Sequence, residues 1–133
     1  KKTNMSYYFS KTVDYNFEQA IDKITEELKK EGFGILTEID VKETFKKKLD
    51  VDFRKYKILG ACNPNMAHQA IQHEPRIGAM LPCNVIVQEL ENGKVEVSAV
   101  DPVASMMAVE NDKLGEVAKD VRNKLQKVIE NFK

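Results

Sequence analysis

Residues 83–100, with the sequence CNVIVQELENGKVEVSAV, decide the fold class because they predict a β-hairpin. Apolar and polar residues alternate in both halves of this stretch, which is typical of half-buried strands. Asn92-Gly93 lies between the halves and is the strongest short-range hairpin signal, since both residues tolerate the left-handed backbone of a tight turn. We therefore predict strands over residues 83–90 and 94–100, and a sheet that is at least partly antiparallel.

The rest of the chain alternates between strand and helix patterns. Strands are predicted over residues 5–13, 33–39 and 56–61, and helices over 17–31, 41–49, 64–72 and from 112 onward. The helix over 41–49 is expected to turn three apolar side chains inward: Val41, Phe45 and Leu49. The long helices near the two ends should pack across one sheet face. The predicted class is α+β, with a five-stranded, largely antiparallel sheet, two long helices on one face and short connecting helices (β-α-β-α-β-α-β-β-α).

Three predicted helix starts follow directly after strands. Asn63-Pro64 and Asp101-Pro102 each combine a capping side chain with a proline, which fits the first helical position, and Asp40 caps a third helix. The free backbone N–H groups at such starts can bind a carboxylate or phosphate. Because an Asp carboxylate would compete with an anion, Asn63 is the better anchor.

Composition limits the class of protein. The 133 residues fit one domain, with residues 1–4 expected as a disordered tail. The 21 basic residues balance 21 acidic ones, and Trp is absent, so nucleic acid is an unlikely partner. No apolar run is long enough to span a bilayer, and no apolar segment of a signal peptide follows the basic start. We therefore expect a cytoplasmic protein without a membrane partner.

Four motifs resemble the domain-of-unknown-function 302 family. They are GFGILTEID at 32–40, GACNP at 60–64, LPCNV at 81–85 and VDP at 100–102, and the resemblance runs from about residue 7 to 132. It implies an α+β fold with an antiparallel sheet, related to the TATA-binding-protein-like group, and a homodimer. The family has no established activity. Many members carry apolar residues where Cys62 and Cys83 stand, so the cysteines mark a subgroup.

Cys62 and Cys83 are the main candidates for chemistry. Cys62 ends a predicted strand just before a helix, whose free N–H groups and dipole would stabilise a thiolate. Cys83 begins the next strand and could lie at the same edge of the sheet. Three interpretations stay open: buried inert thiols, a redox or sulfur-handling enzyme with Cys62 as nucleophile and Cys83 as resolving thiol, and a metal site.

His68 and His73 are the candidates to complete such a metal site. A tetrahedral zinc site of Cys62, Cys83, one histidine and a carboxylate is chemically reasonable. Because residues five apart lie about 140° apart around a helix, the two histidines cannot easily bind one ion. Solvated surface histidines are the alternative.

Methionines near the same segments suggest an adaptable apolar pocket. If the turn after Asp101 lies over the sheet, Met106 and Met107 could line a small cavity, the usual form of a binding site. We therefore predict a protein that binds a small ligand or a partner at a cleft near five residues: Cys62, Asn63, Cys83, Asp101 and Met106. The thiol enzyme and the metal-binding module are the rival functions.

Overall fold

The computed structural model describes residues 6–133 and contains one five-stranded sheet. Its strands lie in the order β1-β5-β4-β3-β2, and every neighbouring pair is antiparallel. The strands are β1 (Tyr8–Val13), β2 (Gly34–Asp40), β3 (Tyr56–Cys62), β4 (Cys83–Glu89) and β5 (Val95–Val100). The predicted α+β class and antiparallel sheet are confirmed. The expected tail over residues 1–4, and Met5 at the start of the first predicted strand, lie outside the described residues.

The helices follow the predicted order, with one addition. They are α1 (Phe17–Lys30), α2 (Val41–Leu49), α3 (Pro64–His73), α4 (Pro102–Ser105) and α5 (Asp112–Asn131). The link between α3 and β4 contains a 3-10 helix (Pro75–Met80), and its Ile77 is buried in the core. None of the helices formed by residues 6–133 is long and apolar enough to cross a membrane.

The sheet is buried on one face. Val85, Val87 and Val97 are fully buried, and their cross-strand partners share their face because directly opposed residues point the same way. Both long helices lie on this face, since α1 packs against β4 and β5 while α5 packs against β5 and β1. The apolar stripe of α5 is buried, and Phe132 just beyond the helix is fully buried as well.

The short helix α2 corrects one expectation. No residue of α2 is buried, and Leu49 is 64% exposed although it was expected to point inward. Phe45 is half-buried and packs edge to face on Phe53 at 5.0 Å between ring centres. The reason is position: α2 packs beside β2 and β3, at the edge of the sheet farthest from β1. Its apolar stripe therefore meets only neighbouring residues and not the core.

Gly60 in β3 is required by close packing. A Cβ atom at this position would lie 2.8 Å from Cγ of Pro82 and closer still to Oγ1 of Thr37.

We expect Gly60→Ala to lower the free energy of unfolding by about 1–3 kcal/mol, because an added methyl forces its neighbours apart. Gly34→Ala in the adjacent strand is the matched control, since nothing lies within 4 Å of its Cβ position. Urea denaturation of both variants tests this, and equal losses would contradict the packing argument.

Candidate ligand-binding cavity

A cavity of about 270 Å³ lies at one end of the sheet, under the helices. The strand register places the cavity where β3 ends and β4 begins, because Ala61 near the end of β3 pairs with Cys83 at the start of β4. The helix α3 leaves from the end of β3, and α5 closes the far wall. The lining includes residues of β2, β3, β4 and every helix near this end: Phe33, Leu36, Ala61, Cys62, Asn63, Met66, Ala67, Ala70, Ile71, Gly78, Leu81, Pro82, Cys83, Pro102, Met106, Leu114, Val117, Ala118 and Val121.

Asn63 joins the end of α1 to the start of α3. Its Oδ1 accepts the backbone N–H of Met66 at 3.3 Å, and its Nδ2 donates to the carbonyl of Glu31 at 3.3 Å. Gly32 makes room for this contact, because a Cβ there would lie 2.9 Å from Nδ2 and its φ of +87° favours glycine. The amide of Asn63 is thus occupied by the protein itself.

Four of the five predicted binding residues surround the cavity. Cys62, Asn63, Cys83 and Met106 line it, whereas Asp101 does not. Asp101 is buried, and its two carboxylate oxygens accept the N–H of Val103 at 3.0 Å and Nε of Arg122 at 3.1 Å. The capping role predicted for Asp101 is therefore confirmed, and the residue ties α4 to α5 behind the cavity wall.

Burial controls the chemistry of both thiols. It raises the pKa of the Cys62 thiol above its ordinary value of 9.0. It raises the pKa of Cys83 to about 11, with a smaller contribution from the nearby Cys62. Desolvation, which disfavours the thiolate, is the main cause at both positions. Both free thiols are neutral at pH 7, which counts against the lowered pKa that a catalytic cysteine needs.

The residues expected for a zinc site do not come together. His68 and His73 are exposed on α3, and neither lines the cavity that holds the cysteines. Within residues 6–133, no group of three or more His, Cys, Asp or Glu side chains could hold a metal ion. The proposed set of two cysteines, one histidine and a carboxylate is therefore not assembled, because α3 directs its histidines to solvent.

Sequence reasoning missed most of the cavity wall. The wall on α5 includes Leu114, Val117 and Val121, which the sequence showed only as core positions. At the rim, Leu36 is 66% exposed and Ile71 is 44% exposed, although both are apolar. A signal for Leu36 was present: it follows Ile35, and the broken alternation marks the register shift in β2 between Ile35 and Thr37.

Comparison with known proteins identifies the family. The model of "Domain of unknown function DUF302" matches residues 9–132. The chain belongs to the DUF302 family. The crystal structure of an uncharacterised conserved DUF302 protein from Bacillus stearothermophilus shares 27% identity with this DUF302 chain and a TM-score of 0.87, covering 96% of this chain and 98% of that one. Comparison with curated proteins gives no match. The DUF302 resemblance seen in the sequence is therefore confirmed.

The raised thiol pKa values predict slow alkylation of the native protein. Because the pKa of Cys83 lies at about 11 and not at 9.0, its thiolate fraction at pH 7.5 is about 100-fold below that of an ordinary cysteine. We expect Cys83 to label at least that much more slowly than in urea, with the rate rising toward pH 11. Cys62→Ala and Cys83→Ala assign the two rates. Labelling of native Cys62 faster than of the unfolded chain would instead support a thiol enzyme.

Proposed function

We propose that this protein binds a small, uncharged, apolar ligand in the cavity beside Cys62 and Cys83. The observation that carries the proposal is the lining: none of the described residues around the cavity is charged, and the one amide, Asn63, is occupied. An apolar molecule gains by leaving water for such walls. A buried charge would lack a partner and would cost several kcal/mol.

The size of the cavity limits the ligand. A volume of about 270 Å³ corresponds to roughly nine groups of the size of a water molecule or a methylene, at about 30 Å³ each. This space suits a short alkyl chain or a substituted aromatic ring. A longer amphiphile would place only its tail inside.

The rim gives such a ligand a way in. Leu36 and Ile71 line the cavity and are also exposed, so the apolar wall continues to the surface between β2 and α3. A polar end of the ligand would therefore remain in water beyond these two side chains. Carrying a neutral molecule, or the tail of an amphiphile, is the role that we propose, and the free thiols support a cytoplasmic setting.

A series of straight-chain primary alcohols tests the proposal by calorimetry. We expect the free energy of binding to improve by about 0.8 kcal/mol per added methylene and to level off near nine non-hydrogen atoms. Ala118→Leu should reduce the affinity at least tenfold, because it fills space that Ala118 now leaves at the wall. Ala108→Leu, at an exposed position, is the matched control. Absence of binding, or affinity that grows past this length without a break, would contradict the proposal.

A second observation favours a homodimer through the open face of the sheet. The side chains opposite the helices belong to alternate positions of all five strands: Tyr8, Ser10, Thr12, Thr37, Ile39, Tyr56, Ile58, Gly60, Asn84, Ile86, Gln88, Glu96, Ser98 and Val100. Of these only Glu96 is charged, whereas 32% of the chain is. Depletion of charge is the compositional mark of an interface core.

Glu96, the one charged residue among these strand positions, is linked through Gln88 to the neighbouring Arg54. Gln88 donates from Nε2 to Glu96 at 3.0 Å and accepts from Nε of Arg54 at 3.0 Å. Five strands spaced about 4.8 Å apart and six residues long give a flat projection of roughly 480 Å². Because side chains project from this plane, the accessible area of the face exceeds its flat projection and is closer to the roughly 800 Å² per partner of a standard interface. A two-fold axis would match this face with its own copy.

Sedimentation velocity tests the dimer. We expect twice the mass of one chain for the native protein, and the mass of one chain for Ile86→Glu, because Ile86 is central on the open face and a buried unpaired charge opposes association. Leu49→Glu is the control, since Leu49 is an exposed apolar residue on α2. A native protein that sediments as a single chain at micromolar concentration would rule out this interface.

A further inference from the structure

Four sulfur-bearing side chains line the same cavity. They are the thiols of Cys62 and Cys83 and the thioethers of Met66 and Met106. Core packing alone asks only for apolar volume here, and apart from Asn63 and Gly78 the remaining walls are supplied by aliphatic and aromatic residues. The cavity therefore differs from the rest of the core in its concentration of soft, polarisable donor atoms.

The sheet places these residues at one end by its register. Cys62 is the last residue of β3, and Cys83, opposite Ala61, is the first residue of β4. Met66 lies in the first turn of α3, and Met106 directly follows α4, which begins just after β5 ends. Two strand ends, the first turn of α3 and the residue after α4 thus supply the four sulfurs, although Met106 lies 44 positions beyond Cys62 in the chain.

The donor set selects one class of metal. Thiolate and thioether sulfurs prefer soft cations, Cu(I) above all, whereas Mg²⁺ and Ca²⁺ need the oxygen ligands that this lining does not offer. The surroundings also limit the total charge. A monovalent cation with one thiolate and neutral sulfur ligands has no net charge, so it can be buried without a counter-ion.

We propose that the cavity holds one Cu(I) ion between the thiolate of Cys62 and the thioethers of Met66 and Met106, with Cys83 as a neutral fourth sulfur. Cys62 supplies the thiolate because it is the more exposed cysteine, so ionising it costs less desolvation than ionising the buried Cys83. Cu(I) displaces the thiol proton of Cys62, and this proton leaves to solvent. No electron is transferred.

Anaerobic competition against a chromophoric Cu(I) chelator tests this site with Cu(I) alone as the probe. We expect the protein to withdraw one Cu(I) per chain and to release one proton as it does so. Cys62→Ala should abolish the transfer. Met106→Leu keeps the apolar volume but removes the thioether, and it should weaken Cu(I) binding at least about tenfold, the lower end of what the loss of even an outer-shell partner costs.

Met107→Leu is the matched control, because Met107 is the next residue and is 79% exposed. Two bare cysteines can bind Cu(I) in many proteins, so the difference between the two methionine variants is decisive. Equal affinity of Met106→Leu and Met107→Leu would overturn the site, as would a native protein that leaves all Cu(I) on the chelator. Circular dichroism of each variant confirms the fold, and alcohol binding by Met106→Leu shows separately whether the apolar cavity is intact.

Discussion

The pairing of β3 with β4 is the constraint on which the rest of the molecule depends. Ala61 lies opposite Cys83, and this register follows from burial of Val85 and Val87 on the helix side. Side chains alternate between faces, so a shift of one residue would turn these valines to water and move Cys83 to the open face. The same register that builds the core therefore builds the cavity, and neither can change alone.

Satisfied polar groups keep the cavity apolar. A helix start exposes free N–H groups, and two such starts near one end of the sheet would normally attract an anion. Here Asn63 accepts the N–H of Met66, and Asp101 accepts the N–H of Val103 and Nε of Arg122. Because these groups are already hydrogen-bonded, the helix starts shape the cavity but add little polarity to its walls. The walls are consequently suited to neutral molecules or to a neutral metal complex.

Local patterns predicted the fold well because each element is consistent with the sheet. Asn16 and Gln19 form the capping box of α1, and Gly32 follows that helix with a φ of +87°. The helix α2 shows the limit of periodicity: its apolar stripe is real, yet Leu49 is exposed because the sheet edge offers it no partner. Periodicity reports which face a helix would bury, and only tertiary position decides whether anything covers that face.

The candidate site was predictable only in part, for a related reason. Cys62, Asn63 and Cys83 lie next to caps and strand ends, so sequence could place them near one sheet edge. Leu114 and Val121 reach the same cavity from α5, and no local signal separates a wall residue from an ordinary core residue. The sign of the thiol pKa shift also depends on that distant wall. Burial raises the pKa of both thiols, and α5 supplies part of the apolar wall beside them. An element far along the chain therefore contributes to the environment of both cysteines.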